Sequence, residues 1–526
     1  MAQDAKPARE AAGAALPQPA RPTVTTHWGI YRARLENGVA TALEAFEGDP
    51  NPSPIGLGRG MIDARTSPAR ILRPAVRKSF LERGFKAGGG GRGGEPFVEV
   101  DWDEALDLVA AEVKRVIGAH GNRAIYGSSN GWASAGRFHH AGQHVHRLFN
   151  CLGGFVRSVG NYSFGAADVI LPYVFGSTRG LVAGHTPWRL LARHARMIVM
   201  IGGAPIRNGQ MSNGGIARHG IRDGLLACRD GGAQFVSISP IRDDALDDLG
   251  AEWLAPRPNT DVALMLGLAH VLITEDLADT AFLARYTTGY EALRGYVMGD
   301  VDGIAKSPEW AAGITALEAD TIRVLARRMA REKAFLMLTW SLQRADHGEQ
   351  PYWMAAALAA MIGGIGTPGS GIGYGYGSSG AIGGATTAAS WPSLPQGRNP
   401  IEDFIPVSRV SDMLLNPGKP FDYNGKRYTF PEVRLVYWAG GNPFHHHQDL
   451  NKLLTAWRRP ETIIVHETFW NAHARHADIV LPAAVSLERN DIAASGRDGF
   501  LSACQKLYEP AGEARMDYDI LRGVAR

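Results

Sequence analysis

Five short, almost wholly apolar runs, each emptying into a polar loop, restrict the folds open to this chain. They are residues 197–206 (MIVMIGGAPI), 234–240 (QFVSISP), 334–340 (AFLMLTW), 434–439 (RLVYWA) and 462–465 (TIIV). Continuous apolar runs rich in β-branched residues read as strands buried on both faces, the signature of parallel sheets. The first two flank a helix-like stretch at 215–229. Strand, helix, strand over that distance is a βαβ unit. In such sheets ligands bind beyond the carboxyl ends of the strands. Those ends here carry Gly, Asn, Arg, His, Asp and Ser, which offer backbone N–H groups and short polar side chains. Such loops suit a long ligand with phosphates and a polar base. No GxGxxG follows a strand with an acid about 20 residues on, which counts against an ordinary dinucleotide-dependent dehydrogenase.

The remaining elements follow from the same patterns. Residues 25–39 alternate apolar and polar positions around Glu36-Asn37-Gly38, a hairpin signal. Residues 102–119 make one apolar helical face, with Asp101 placed to cap it. A further helix is expected at 350–362. The run GGGGRGG at 88–94 reads as a flexible loop, since it lacks the Lys-Ser/Thr of a phosphate-binding P-loop. Residues 363–384 hold eleven glycines, too many for a regular element, and are expected to form one long loop. At Pro258-Asn259-Thr260-Asp261 two readings stand. Thr260 or Asp261 caps the next helix, or the Asp261 carboxylate accepts paired donors from a guanine ring.

One stretch, 126–167, combines several unusual features. A Gly/Ser loop carries Trp132, a helix is expected over about 136–152, and a second loop presents Ser163 in Asn-Tyr-Ser-Phe-Gly-Ala. His445-His446-His447 points three imidazoles in different directions, so joint ligation of one metal is disfavoured. Contact with a phosphate-bearing ligand and plain exposure to water both remain open.

Bulk properties bound the rest. A net charge of +3 over 526 residues gives no reason to propose a nucleic acid as partner. Three widely spaced cysteines, with no CxxC or CxxCH, argue against an iron–sulfur cluster or attached haem and against a disulfide framework. No 18-residue apolar run predicts a membrane span. The Ala/Pro-rich N-terminus lacks a secretory apolar core and a twin-arginine pair, so a disordered tail and a cytoplasmic location are expected.

Several long segments resemble the dimethyl sulfoxide reductase family of molybdopterin oxidoreductases, in that family's order. They are HWGIYRARLENG, GRGMIDARTSPARI, GSSNGWASAGRFHHA, NYSFGAADVILPYVFG, RPNTDVALMLGLAHVLI, TWSLQRADHGEQPYWM, YWAGGNPFHHHQDLN and ARHADIVLPAAVSLERND. The similarity is greatest to the branch without iron–sulfur clusters, the biotin sulfoxide, dimethyl sulfoxide and trimethylamine N-oxide reductases. Within it, SAGRFHHA leans toward biotin sulfoxide reductase.

The resemblance implies a molybdenum held by two molybdopterin guanine dinucleotides, with Ser163 as the protein ligand and Trp132 donating to the metal's oxo group. It assigns cofactor contacts to Arg207, Asn208, Ser239, Pro258, Asp261, Trp340, Ser341, Arg344, Asn442, His446 and His466. The implied reaction is oxygen-atom transfer from an S-oxide or N-oxide, of the biotin sulfoxide, methionine sulfoxide or trimethylamine N-oxide class. Electrons would come from an external donor, a reduced nicotinamide or a redox protein, and a cofactor-insertion chaperone is a further implied partner. Formate-oxidising relatives are disfavoured because they place cysteine or selenocysteine where Ser163 stands. Asn130 replaces a tyrosine common in dimethyl sulfoxide reductases, which counts against dimethyl sulfoxide as the preferred substrate.

The expected fold is a multi-domain α/β molybdopterin oxidoreductase with parallel, Rossmann-like sheet units. Its expected parts are a tail at 1–24, a β-rich region at 25–75, a discontinuous α/β domain at 76–190 plus 332–526, and an inserted α/β domain at 191–331. The family's C-terminal barrel-like domain is expected to be absent, as though the chain were truncated. The alternative function is then a catalytically incompetent remnant that only binds a partner.

Overall fold

The computed structural model describes residues 21–129, 134–177, 179–182, 184–384, 391, 393–495 and 498–526. Two open, mainly parallel sheets dominate them. One has five parallel strands in the order Glu252–Leu254, Gln234–Ile238, Met197–Ile201, Phe335–Leu338, Gly371–Tyr374. All five side chains of Met197–Ile201 are buried, and so are all four of Phe335–Leu338. At about 1.5–3 kcal/mol per large apolar side chain, these two strands supply much of that sheet's stability. Strand order reverses between them, because the chain winds outward from Met197–Ile201 in one direction and then returns beside it as Phe335–Leu338. A reversal of this kind opens a crevice at the carboxyl ends.

The other sheet runs Phe97–Glu99, Ala75–Arg77, Ile479–Pro482, Thr462–Glu467, Leu435–Ala439, Ile125–Ser128. Its last four strands are parallel, and Ala75–Arg77 pairs antiparallel at the side of Ile479–Pro482. Helices cover both faces. Trp102–His120, Ala141–Cys151 and Asp517–Val524 pack on one, and Val410–Leu415 with Leu450–Trp457 on the other. The Asp101 carboxylate caps Trp102–His120 by accepting the Glu104 N–H at 2.8 Å. A three-stranded antiparallel sheet, Thr23–Thr26, Gly29–Glu36 and Val39–Ala45, precedes both. Its second turn puts Asn37 and Gly38 at φ 53° and 80°, the left-handed pair that a two-residue hairpin requires. No sheet closes into a barrel among the described residues.

Four expectations need correction. Gly88–Gly94 is not a flexible loop, because Arg92 is buried within it. The Arg92 guanidinium donates to both Asp478 oxygens and to the carbonyls of Trp457 and Pro460, at 2.5–3.2 Å. Residues 363–384 are not wholly irregular, since Gly371–Tyr374 pairs with Phe335–Leu338 as the sheet's edge strand. Its glycines serve packing: a Cβ on Gly373 would lie 2.3 Å from the Phe335 ring. The helix expected from about 136 begins only at Ala141. The backbone before it is held by Asp491, which accepts the N–H groups of Arg137, Phe138 and His139 at 3.0–3.2 Å. Finally, neither Thr260 nor Asp261 makes a capping bond to Asp261–Thr274, and the Thr260 hydroxyl donates to the Arg257 carbonyl instead.

Asp478 is fully buried between two guanidinium groups, receiving Arg77 and Arg92 at 2.9 Å and 2.5 Å. Removing it leaves the buried Arg92 without an ion pair and Arg77 with Glu95 alone. Asp478→Ala should destabilise the chain by about 3–5 kcal/mol, read as a lower denaturation midpoint in guanidinium chloride. A midpoint equal to wild type would show that this ion triad contributes nothing.

Candidate cofactor-binding site at the strand ends

One strand of each sheet, the central one of the five and the one beside the edge strand Ile125–Ser128 of the six, ends in the same local turn. Met197–Ile201 runs into Gly202-Gly203-Ala204-Pro205, and Leu435–Ala439 into Gly440-Gly441-Asn442-Pro443. All four glycines have positive φ, between 72° and 85°, where an L side chain is strained. A short helix follows each proline, Ile206–Gly209 and Pro443–His446. Successive left-handed glycines at a strand end turn backbone N–H groups outward, a geometry that suits anionic oxygens. This internal correspondence is visible in the sequence as GGxP, but it is easily missed when the two runs are read one at a time.

The loop Asn161–Phe164 lies between these turns. Tyr162 reaches the six-stranded sheet's end: its hydroxyl donates to the Val407 carbonyl at 2.7 Å and lies 3.1 Å from His447 Nδ1. Its ring also meets His446 edge-on at 5.9 Å. Phe164 reaches the other sheet's end, its ring 4.5 Å from that of Trp340, which follows Phe335–Leu338. The Asn161 side chain accepts the Phe164 N–H at 2.6 Å and donates to Asp168, while Gln343 accepts the Ala167 N–H at 2.9 Å. Ser163 is thus pinned from both sides, half-exposed and without a hydrogen-bond partner of its own among the described residues.

Around it the predicted residues fall into groups. Trp340 is buried and its indole N–H has no acceptor among the described residues. Ser341 is exposed and shares a 2.7 Å hydrogen bond with Thr339. Both pack at the strand reversal, where a Cβ on Gly202 would lie 2.3 Å from Thr339 Oγ1 and 3.3 Å from Ser341 Oγ. Arg344 is exposed and has no ion-pair partner among the described residues. It and Asp261 both act on the buried Tyr352 hydroxyl, which donates to the Thr339 carbonyl at 2.6 Å. Burial raises the Asp261 pKa, and Pro258 is exposed just ahead of it.

Arg207 and Ser239 are joined by Asp244, a residue the sequence did not single out. Asp244 pairs with the Arg207 guanidinium and accepts the Ser239 hydroxyl at 2.7 Å. Asn208 is exposed beside them. Asn442 caps Pro443–His446 by accepting the Phe444 N–H at 3.0 Å. His446 is half-buried, its pKa lowered by burial and then by His445; burial and then His446 push His447 down to about 4. Trp132 lies outside the described residues. No group of three His, Cys, Asp or Glu among the described residues could hold a metal ion.

His466 stands apart from the open strand ends. It is buried on the helix-covered face of its sheet, 2.8 Å from the Tyr437 hydroxyl and 2.8 Å from Asp517. Asp517 also meets His139 Nε2 at 2.7 Å. Burial opposes the Asp517 charge, but the hydrogen bonds from His139 and His466 hold its pKa well below the usual carboxylate value. A sequence reading could not see this network, because its four members come from four separate segments.

The matches to known proteins agree with this geometry. Residues 70–526 match the molybdopterin oxidoreductase family, and residues 25–63 match that family's N-terminal domain. The chain belongs to the molybdopterin oxidoreductase family. Among curated relatives it is 46% identical over 484 residues to the biotin sulfoxide reductase of Cereibacter sphaeroides, covering 92% of this chain and 65% of that one. It is 44% identical over 520 residues to the dimethyl sulfoxide/trimethylamine N-oxide reductase of Rhodobacter capsulatus, covering 95% and 62%. The chain therefore spans somewhat under two thirds of these relatives. The acetylene hydratase of Pelobacter acetylenicus shares the fold, with a TM-score of 0.61 at 18% identity over 96% of this chain and 69% of that one.

The depressed Asp517 pKa fixes the sign of one pH effect. Its contribution is complete above the unfolded value of about 3.9 and is lost as pH falls through that value toward the folded one. Asp517→Asn should cost about 2–3 kcal/mol at pH 7, and its stability should fall less steeply than that of wild type below about pH 4. Urea midpoints across pH 3–7 test this; parallel curves for the two proteins would contradict it.

Proposed function

We propose that this chain carries the cofactor-binding core of a molybdenum-dependent enzyme that reduces an S-oxide or N-oxide to the sulfide or amine. One observation supports the reading most strongly. The Ser163 loop is fastened between two matching Gly-Gly-X-Pro turns, as a ligand made of two like halves around a central metal would require. Membership of the family implies a molybdenum–molybdopterin cofactor, and we assign the guanine dinucleotide form in two copies. The names of the relatives support the substrate class.

The residues present suit such a group. The Trp340 indole N–H is a buried donor without an acceptor, and such a group is stabilised only when something fills its hydrogen bond. The Arg344 fork is free for bidentate phosphate binding. Asp261, kept partly from solvent, can accept from a guanine edge. When bound, the cofactor supplies two-electron oxygen-atom exchange. The chain's part is to hold and orient it. We assign the Ser163 oxygen, a hard donor, as the ligand to a high-valent metal. Trp132 is assigned an N–H donor role at the same centre. At pH 7 the neutral His447 ring keeps Tyr162 in place without adding charge beside Ser163. Electrons are assigned to an external donor.

Ser163→Ala in the cofactor-loaded protein should lower reduction of biotin sulfoxide or trimethylamine N-oxide by reduced viologen at least about 100-fold, with an unchanged circular dichroism spectrum. Full activity in that variant would remove Ser163 from the site.

A further inference from the structure

A partly open pocket lies away from the strand ends. Thr23–Thr26, the segment 134–136, the turn Ser486–Glu488 and the hairpin Asp491–Ala494/Leu501–Cys504 surround a cavity of about 200 Å³. Its walls include Thr25, Trp28, Ser134, Ser486, Arg489 and Asp491. None of the residues that pin Ser163 lines it. The volume is several times the roughly 30 Å³ share of one water molecule, so it can take a small solute.

The chemistry of the walls is unbalanced in one respect. Arg489 is 7% exposed, and its guanidinium is not deprotonated in proteins. Only two of its N–H donors are engaged, to the Ala484 carbonyl at 3.0 Å and the Ser486 hydroxyl at 3.3 Å. It makes no ion pair among the described residues, and the undescribed residues beyond position 20 include no acid. The nearby carboxylates are all committed elsewhere. Glu488 takes the Arg70 guanidinium at 3.0 and 3.2 Å. Asp517 is held by His139 and His466. Asp491 lines the cavity, but it accepts four backbone N–H groups, from Arg137, Phe138, His139 and Ile492, which neutralise much of its field. A buried cation left this way is costly unless an anion meets it. A second wall group is also unfilled: the Thr25 hydroxyl is buried, the residue being 6% exposed, and it has no hydrogen-bond partner among the described residues.

We propose that this cavity binds a small carboxylate anion of acetate size, gripped by the free edge of the Arg489 guanidinium and by the Thr25 hydroxyl. A planar carboxylate matches the planar guanidinium fork, which a spherical ion does not. The site does not depend on the reductase reading and binds in the cofactor-free chain as well.

Isothermal titration of the purified full chain with sodium acetate, at constant ionic strength in chloride-free buffer, tests it. Acetamide serves as the uncharged control of the same shape. The expected result is saturable binding at one site per chain, with acetamide at least about tenfold weaker. Thr25→Val should weaken acetate about tenfold. Arg489→Met should abolish binding. Arg522→Ala should leave it unchanged, because Arg522 lines the open groove on the other side of Arg489 and not this cavity. Absence of saturable binding, equal binding of acetamide, or loss in Arg522→Ala with none in Thr25→Val would overturn the proposal. If Arg489→Met does not fold, Thr25→Val and Arg522→Ala decide between the cavity and the groove.

Discussion

The contacts on either side of Ser163 are what the site depends on. Tyr162 is tied to the Val407 carbonyl and to His447 beyond one sheet, and Phe164 lies against Trp340 beyond the other. A loop of four residues thereby joins the ends of Phe335–Leu338 and Leu435–Ala439, strands of two different sheets. Because the loop is short, each anchor limits where Ser163 can go. Burial of Phe164 against an indole is non-directional and supplies strength, while the Tyr162 hydrogen bonds supply direction. Among the described residues, the Ser163 hydroxyl is the loop's polar side-chain group not spent on holding it, whereas those of Asn161 and Tyr162 are engaged. That is the state expected of a group kept for a ligand.

Around this joint the molecule places charge in two different ways. Apart from Arg489, the deep arginines are matched inside the protein, as in Arg77 and Arg92 on Asp478 or Arg70 on Glu488. At the strand ends matching is incomplete, since Arg344 is open and the Trp340 indole N–H is unfilled. Arg207 is an intermediate case, because Asp244 holds it toward Ser239. The difference separates structure from site: an unmatched buried donor is tolerated where a ligand completes it.

Much of the fold was legible because parallel strands buried on both faces leave a continuous apolar trace, as in MIVMI and RLVYW. The hairpin at Asn37-Gly38 was legible for a local reason, the left-handed turn that this pair favours. Glycine content misled twice. In Gly88–Gly94 one arginine overrides six glycines, and Arg92 finds a partner, Asp478, more than 380 residues away. In residues 363–384 the glycines permit close packing against Phe335 rather than freedom. The helix start at Ala141 was missed because Asp491 takes the preceding N–H groups. For the site, the loops themselves could be read from the strand ends, and the resemblance supplied the individual residues. Asp244 and the Tyr437–His466–Asp517–His139 network were not legible, since each depends on contacts that no local pattern encodes.

The central claim is that Ser163 sits between two equivalent nucleotide-binding turns. It is tested most directly by the stoichiometry of the chain purified from a host able to make the cofactor. Molybdenum is measured by elemental analysis, and guanine nucleotide is measured after acid release. The account predicts two guanine nucleotides for each molybdenum. A molybdenum-loaded chain that releases only one, or none, would contradict it.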